Sequence, residues 1–213
     1  MIKKPRAFFR GIRIAGHKSP TDRMPAERLS AIPEVIIPLA QSIGAPAKPV
    51  VEVGQAVRRG QCIAEAAGIV SANVHASIAG TVTAIGPHPD GRGGQTDCIF
   101  ITPADVQEDA FLPPLSEPSA EEILARIAAG GIVGMGGAGF PTHVKLAPHV
   151  PVDTLILNGS ECEPYLTCDD VLMQARKNEV LRGAKYLAKA LNASNILIAI
   201  EQNKPDDIAA FAD

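Results

Sequence analysis

The chain has 213 residues, 46% of them hydrophobic and 20% charged, with a formal net charge of −3. At roughly 150 residues per domain this allows one or two domains with a real apolar core. The slight acidity, the scarcity of aromatic residues (4%) and the absence of Trp argue against a basic or base-stacking nucleic-acid surface. The sequence has no apolar run of about 18 residues that could span a membrane as a helix. The basic start MIKKPRAFFR is followed by no apolar stretch of the secretory kind. The cysteines, at 62, 98, 162 and 168, form no CxxC pair. Their spacing matches no common zinc or iron–sulfur set, so no metal site is expected and the thiols read as reduced groups of a cytoplasmic protein.

Residues 1–30 are basic and interrupted by Pro, with no period, and read as an extended arm packed on a domain or a partner. In IPEVIIPLAQSIG, Pro33 and Pro38 prevent any long element. From 49 to 85 the short β-rich runs PVVEV, QCIAEA, NVHAS and GTVTAI alternate with turn segments, which predicts a small sandwich or barrel over residues 31–105. His75 within it, and His88 in the Pro/Gly-rich loop GPHPDGRGG, read as structural. Residues 106–118, rich in Pro and acid, read as a linker.

Residues 119–213 are expected to form an α/β nucleotide-binding domain. Ser119-Ala-Glu-Glu122 is a capping box that opens a helix ending at Gly130 or Gly131. The stretch GGIVGMGGAGFPTHVK follows, and six of its first ten residues are Gly. So much Gly suits a backbone that must approach something closely, and successive N–H groups of such a turn form a nest for phosphate. Pro141 suits the first turn of a helix whose positive end would face the same anion, and Lys145 lies about one turn further. Gly134, Gly136 and Gly139 also satisfy G-x-G-x-x-G, but a helix and not a strand leads into them, so an ordinary Rossmann fingerprint is rejected. A buried strand at 153–158, a helix of about 23 residues after Asp169 and Asp170, and a second buried strand at 195–200 predict a βαβ unit with a parallel sheet. Ligands meet such sheets at the C-terminal strand ends, where Asn158, Ser160, Glu161 and Glu163 stand. Glu161 and Glu163, two apart, would point the same way in extended chain.

VGQAVRRGQCIAEA and VHASIAGTVTAI resemble the barrel-sandwich domain of lipoyl and biotinyl carriers. No Lys lies between Cys62 and Ile85, so the carrier chemistry is excluded and a docking barrel remains. GIVGMGGAGFPTHVKL, LILNGSECEPYLTCDDVLMQ and ILIAIEQNKP resemble the RnfC family, found in ion-translocating ferredoxin:NAD oxidoreductase complexes. The likeness runs over residues 32–205. The second domain is also similar to the flavin-bearing subunit of respiratory complex I and to a cobalamin reductase.

The resemblance implies FMN and NAD(H) as cofactors, hydride exchange between them, and no catalytic side chain. It implies partner subunits of a membrane complex, with the chain peripheral on its cytoplasmic side. It makes Gly134, Gly136, Gly137 and Gly139 backbone contacts to the nucleotides, Phe140 a packing group and Lys145 a phosphate partner. Asn158, Ser160, Glu161 and Glu163 come near the flavin and nicotinamide, the two acids at hydroxyls or rings and away from phosphate. The family's two iron–sulfur clusters have no ligand set in this chain, which reads as a fragment or a short form unable to pass electrons onward alone. The departures are Gly11-Ile-Arg-Ile in the arm and Asn158-Gly-Ser before the acidic pair. A soluble cobalamin-reductase-like flavoprotein and a non-catalytic docking scaffold are the alternatives.

Overall fold

A computed structural model describes residues 14–27, 29, 32–91, 93–135 and 137–212. The chain divides into two compact units, Arg28–Leu155 with Lys185–Asn195, and Met1–Glu27 with Ile156–Ala184 and Ile196–Asp213.

The first unit begins with seven strands: β1 (Val35–Pro38), β2 (Lys48–Pro49), β3 (Ala56–Val57), β4 (Cys62–Glu65), β5 (Val74–His75), β6 (Gly80–Pro89) and β7 (Gln95–Pro103). They form two antiparallel sheets, ordered β1-β7-β6-β3 and β2-β4-β5. The register sets Val82 against Ile101, and Ile99 against both Ile85 and Ile37. Ile63, Val82, Ile99 and Ile101 are fully buried in one cluster with Ile37, Val57 and Val74. Removing each such side chain from water stabilises the barrel by about 1.5–3 kcal/mol. This is the expected barrel-sandwich, with two differences. The expected run PVVEV contributes only Pro49 to a strand, and the longest hairpin, β6–β7, extends well past Ile85. His88 is therefore a strand residue opposite Thr96, its ring edge-on to Phe100. Pro87 and Pro89 are tolerated because β3 pairs with β6 only at Gly80 and Thr81, which leaves the edge beyond without a ladder to break.

The segment read as a linker is held on the barrel. Arg59 clasps Asp109 through two hydrogen bonds of 2.7 and 2.9 Å, and its guanidinium lies over Phe111. The Gln107 side chain bonds the Ala79 backbone in both directions. Helix α1 (Ala120–Ala129) then starts at the expected capping box and ends on Gly130. Past the glycine loop comes α2 (Thr142–Lys145), a single turn with Pro141 as its N-cap.

Strand β8 (Thr154–Gly159) pairs in parallel with β9 (Asn195–Ile200), and helices lie between them in sequence as expected. The single long helix is instead two, α3 (Cys168–Ala175) and α4 (Lys177–Leu191), broken at Arg176 (φ −131°). None of residues 174–179 is buried, so no packing holds the helix straight there. The burial expected on both strand faces is also absent: Ile156 and Leu197 are 61% and 55% exposed. An apolar run reports what a strand is suited to meet, and only part of that surface meets anything among the described residues. The last helix is α5 (Pro205–Ala210), and α3 packs on it.

Candidate functional site

The glycine loop is a hairpin-like bulge closed at its base. Gly134 N–H donates to Phe140 O at 2.9 Å, Thr142 N–H donates to Ile132 O at 2.9 Å, and Val133 bridges Pro141. Gly134 thus spends its N–H inside the loop. Gly136 lies outside the described residues. Gly137 stands open: its φ is +114°, and a Cβ added there would meet nothing within 4 Å. Gly139 (φ +60°) and Phe140 are half-buried, and their carbonyls accept bonds from Ile43 N–H and Gly134 N–H. The Lys145 side chain folds back as its place on a helical turn dictates, putting Nζ 3.8 Å from where a Gly134 Cβ would sit. Among the described residues Lys145 makes no ion pair or hydrogen bond, so its charge is available. The helix expected to aim its dipole at an anion is only four residues long and adds little field. Beside the loop runs a groove of about 1170 Å³, lined by Leu39, Gln41, His88, Asp97, Gly137 and Gly139 among others.

The polar strand end belongs to the other unit. Asn158 closes β8 and turns its Oδ1 onto Ser160 N–H (3.2 Å), an Asx turn. The strand ends at Gly159, so the alternation that would align Glu161 with Glu163 no longer holds. Glu163 is exposed, while Glu161 is 2% exposed and faces inward.

Both Glu161 oxygens are engaged. Oε2 meets Lys18 Nζ at 3.1 Å and Lys204 Nζ at 3.3 Å, and Oε1 accepts Asp169 N–H at 2.9 Å. Lys18 also donates to the Glu161 and Leu166 carbonyls, so the N-terminal arm is strapped to this unit. The arm's Gly16 O accepts Tyr165 N–H, and His17 stacks on the Tyr165 ring. Lys204 pairs with buried Asp170, which also accepts from Gln174.

Burial alone would raise the Glu161 and Asp170 pKa values, yet both lie below their ordinary values. For Glu161 the Asp169 N–H and the two ammonium groups outweigh burial, and for Asp170 it is chiefly Lys204. The same partners raise Lys204 against its burial. Asp207, on α5, is the exception. It is fully buried, and neither carboxylate oxygen has a hydrogen-bond partner. Burial first, then the Asp170 carboxylate, push its pKa up to about 6. Its protonated form can donate to Asp170, which explains how two acids share this space.

Lys18, Lys204 and Asp207 escaped the sequence reading, and Asp170 was read only as a helix-start acid. Lys18 lies in a segment without period, and Lys204 follows a strand in a turn; neither position carries a pattern. Glu161, Cys168 and Asp169 bring ligand-type atoms within 4.8 Å of one another. Two ammonium groups already occupy Glu161, which disfavours a cation there. All four cysteines are free thiols.

Comparison with known proteins divides the chain as its sequence does. Residues 6–106 match the family described as "RnfC Barrel sandwich hybrid domain" and residues 127–213 the "Nuo51 FMN-binding domain". The chain is 44% identical over 212 residues to the RnfC-type component of the ion-translocating oxidoreductase complex of Pseudomonas aeruginosa, covering 96% of this chain and 27% of that protein. It is 42% identical over 213 residues to the corresponding component of the proton-translocating ferredoxin:NAD(+) oxidoreductase complex of Clostridium ljungdahlii, covering 97% and 46%. With the same component of the Na(+)-translocating complex of Acetobacterium woodii the identity is 41% over 183 residues, covering 83% and 41%. The chain therefore spans between about a quarter and a half of the length of these relatives. Among the described residues no helix is long and apolar enough to cross a membrane.

Proposed function

We propose, from the premise that this chain belongs to the RnfC family as its N-terminal region, that it binds FMN at the glycine loop and serves electron exchange between NAD(H) and an ion-translocating membrane complex. One observation carries this reading: the FMN-binding family match covers the loop in which Gly137 is open and Lys145 has no partner among the described residues. The site fits a flavin phosphate. Backbone at Gly137 has no side chain to displace, and the ammonium folds over the loop to offset a dianion.

In this reading Gly134, Gly136, Gly137 and Gly139 shape the cradle, Phe140 packs behind it and Lys145 meets phosphate. Asn158, Ser160 and Glu163 present acceptors and donors suited to hydroxyl groups of a nucleotide. Glu161 acts through the backbone: its ion pairs fix the turn that presents Ser160 and Glu163. Bound FMN supplies the electron-accepting chemistry, while the chain's own residues bind, orient and set the charge around it. No side chain here is assigned a proton transfer. Partner subunits and the iron–sulfur clusters of the family lie outside this chain's own residues, and its association with the membrane would be peripheral, through those partners.

The test is a visible-spectrum titration of the purified chain with FMN, followed by NADH under anaerobic conditions. The reading expects micromolar flavin binding and bleaching by NADH. Lys145→Ala should weaken FMN binding about tenfold, as loss of one charged hydrogen bond does. Equal affinity in the variant would remove Lys145 from the site. Absence of flavin binding by the parent would favour a docking role.

A further inference from the structure

The barrel and the glycine loop lie in one compact unit, and the barrel touches both shoulders of the loop. At the leading shoulder Asn73 Nδ2 donates to the carbonyl of Ala129, the last residue of α1, at 3.4 Å. His75, on β5, meets the same backbone; its burial lowers its pKa and the Ala129 contact partly offsets this, so the ring is neutral at pH 7. The chain then turns at Gly131 with φ +63°, where a Cβ would lie 2.1 Å from Asn73 O and 3.4 Å from His75 Cε1. No side chain fits between loop and barrel there. At the trailing shoulder Ile43 N–H donates to Gly139 O at 3.2 Å. A Cβ on Gly139 would lie 2.9 Å from Gln41 O and 3.2 Å from Ser42 Cα. Between the shoulders Met135, Gly137 and Ala138 are exposed.

We propose that the barrel is the holder of this loop: Asn73 and His75 are positioning residues for its leading shoulder, and the Gln41–Ile43 turn positions its trailing one. The proposal rests on the reading of the loop as a flavin site and adds the element that gives it one shape. A segment with six glycines in ten residues loses more backbone freedom on ordering than any other composition. If the loop ordered only around its ligand, binding would bear that loss. Fixed beforehand at two points, it presents its free backbone ready-made, as preorganised sites do. The glycines divide accordingly. Gly131 and Gly139 let the chain approach the barrel, while Gly137 keeps the tip open.

The decisive variants change the barrel and leave every loop residue in place. Asn73→Asp retains the Oδ1 acceptor that binds Ala66 N–H at 2.9 Å and removes only the donor to Ala129. His75→Leu keeps the bulk and removes the ring nitrogens, and His75→Gln restores a donor. Hydrogen exchange of residues 130–145 in the full chain, without nucleotide, reads the clamp directly, and FMN titration reads its effect on the site. We expect loop amides in Asn73→Asp and His75→Leu to exchange about five- to tenfold faster, the size of a lost hydrogen bond. Amides of β6 and β7 should keep their protection, FMN affinity should fall by a similar factor, and His75→Gln should recover most of both. Unchanged loop exchange in both variants would overturn the clamp. Faster exchange with unchanged FMN affinity would overturn its role in positioning. If the parent binds no FMN, the functional reading fails while the exchange data still decide the clamp.

Discussion

The glycine loop and the acidic turn after β8 meet the same physical problem, polar groups at a site, with opposite solutions. At the loop the polarity is held in reserve: Gly137 faces open space and Lys145 has no partner among the described residues. At the turn it is consumed: Glu161, Asp170, Lys18 and Lys204 satisfy one another in a nearly dry cluster. Conspicuous residue types alone do not separate the two. Glu161 and Lys145 both stand in motif-like stretches, yet one is structural and the other is available. What separates them is whether a partner of opposite charge reaches the group from elsewhere in the chain.

Breaking the closed cluster should have the largest effect. Lys204→Met leaves Glu161 with one cation and Asp170 with none, both buried, and should cost about 3–5 kcal/mol in denaturant unfolding. A cost below about 1 kcal/mol would mean that the cluster is wetter than the structure shows.

Asp207 sharpens the picture through pH. Its folded pKa of about 6 lies above its ordinary 3.8, so the folded state binds the proton more tightly. Its contribution is complete below about pH 4 and is lost as pH rises toward about 6, a change of about 3 kcal/mol at most. Asp170 and Glu161 run the other way, contributing above their ordinary values and losing that contribution as pH falls. Asp207→Asn keeps the neutral shape at every pH. It should match the parent near pH 4 and be more stable at pH 7 by about 2–3 kcal/mol. Parallel stability-against-pH curves for the two would sink this assignment.

The smallest effect on stability belongs to the open region. Gly137→Ala asks an L residue to hold φ +114° with nothing nearby to clash. It should cost about 1 kcal/mol in melting experiments while weakening flavin binding disproportionately. A variant that keeps full FMN affinity would remove the tip from the site.

How much of this was legible in the sequence depended on whether a feature is local. The capping box at Ser119, the stop at Gly130 and the strand–helix–strand order are written in neighbouring residues, and the structure has them. The RnfC likeness was legible in contiguous motifs. The break at Arg176 was not, because a helical period continues across a stretch that nothing packs against. Strand β7 was missed because the Gly/Pro signals at 86–94 read as a loop and hid a hairpin whose two halves are long. Lys18 and Asp207 were invisible for a deeper reason: their partners lie far along the chain.

That separation has a kinetic consequence. The Lys18–Glu161 contact spans 143 residues, whereas the barrel strands occupy one contiguous stretch from Val35 to Pro103. At about 5–20 residues per second of synthesis the arm emerges roughly ten to thirty seconds before its acid partner exists. Loop closure over such a distance is slow to nucleate. The barrel is thus built first, with the arm trailing from it, and the ionic cluster closes last, once Lys204 and Asp207 have been made. A mutation in the arm would then show itself as a late folding defect that leaves the barrel intact.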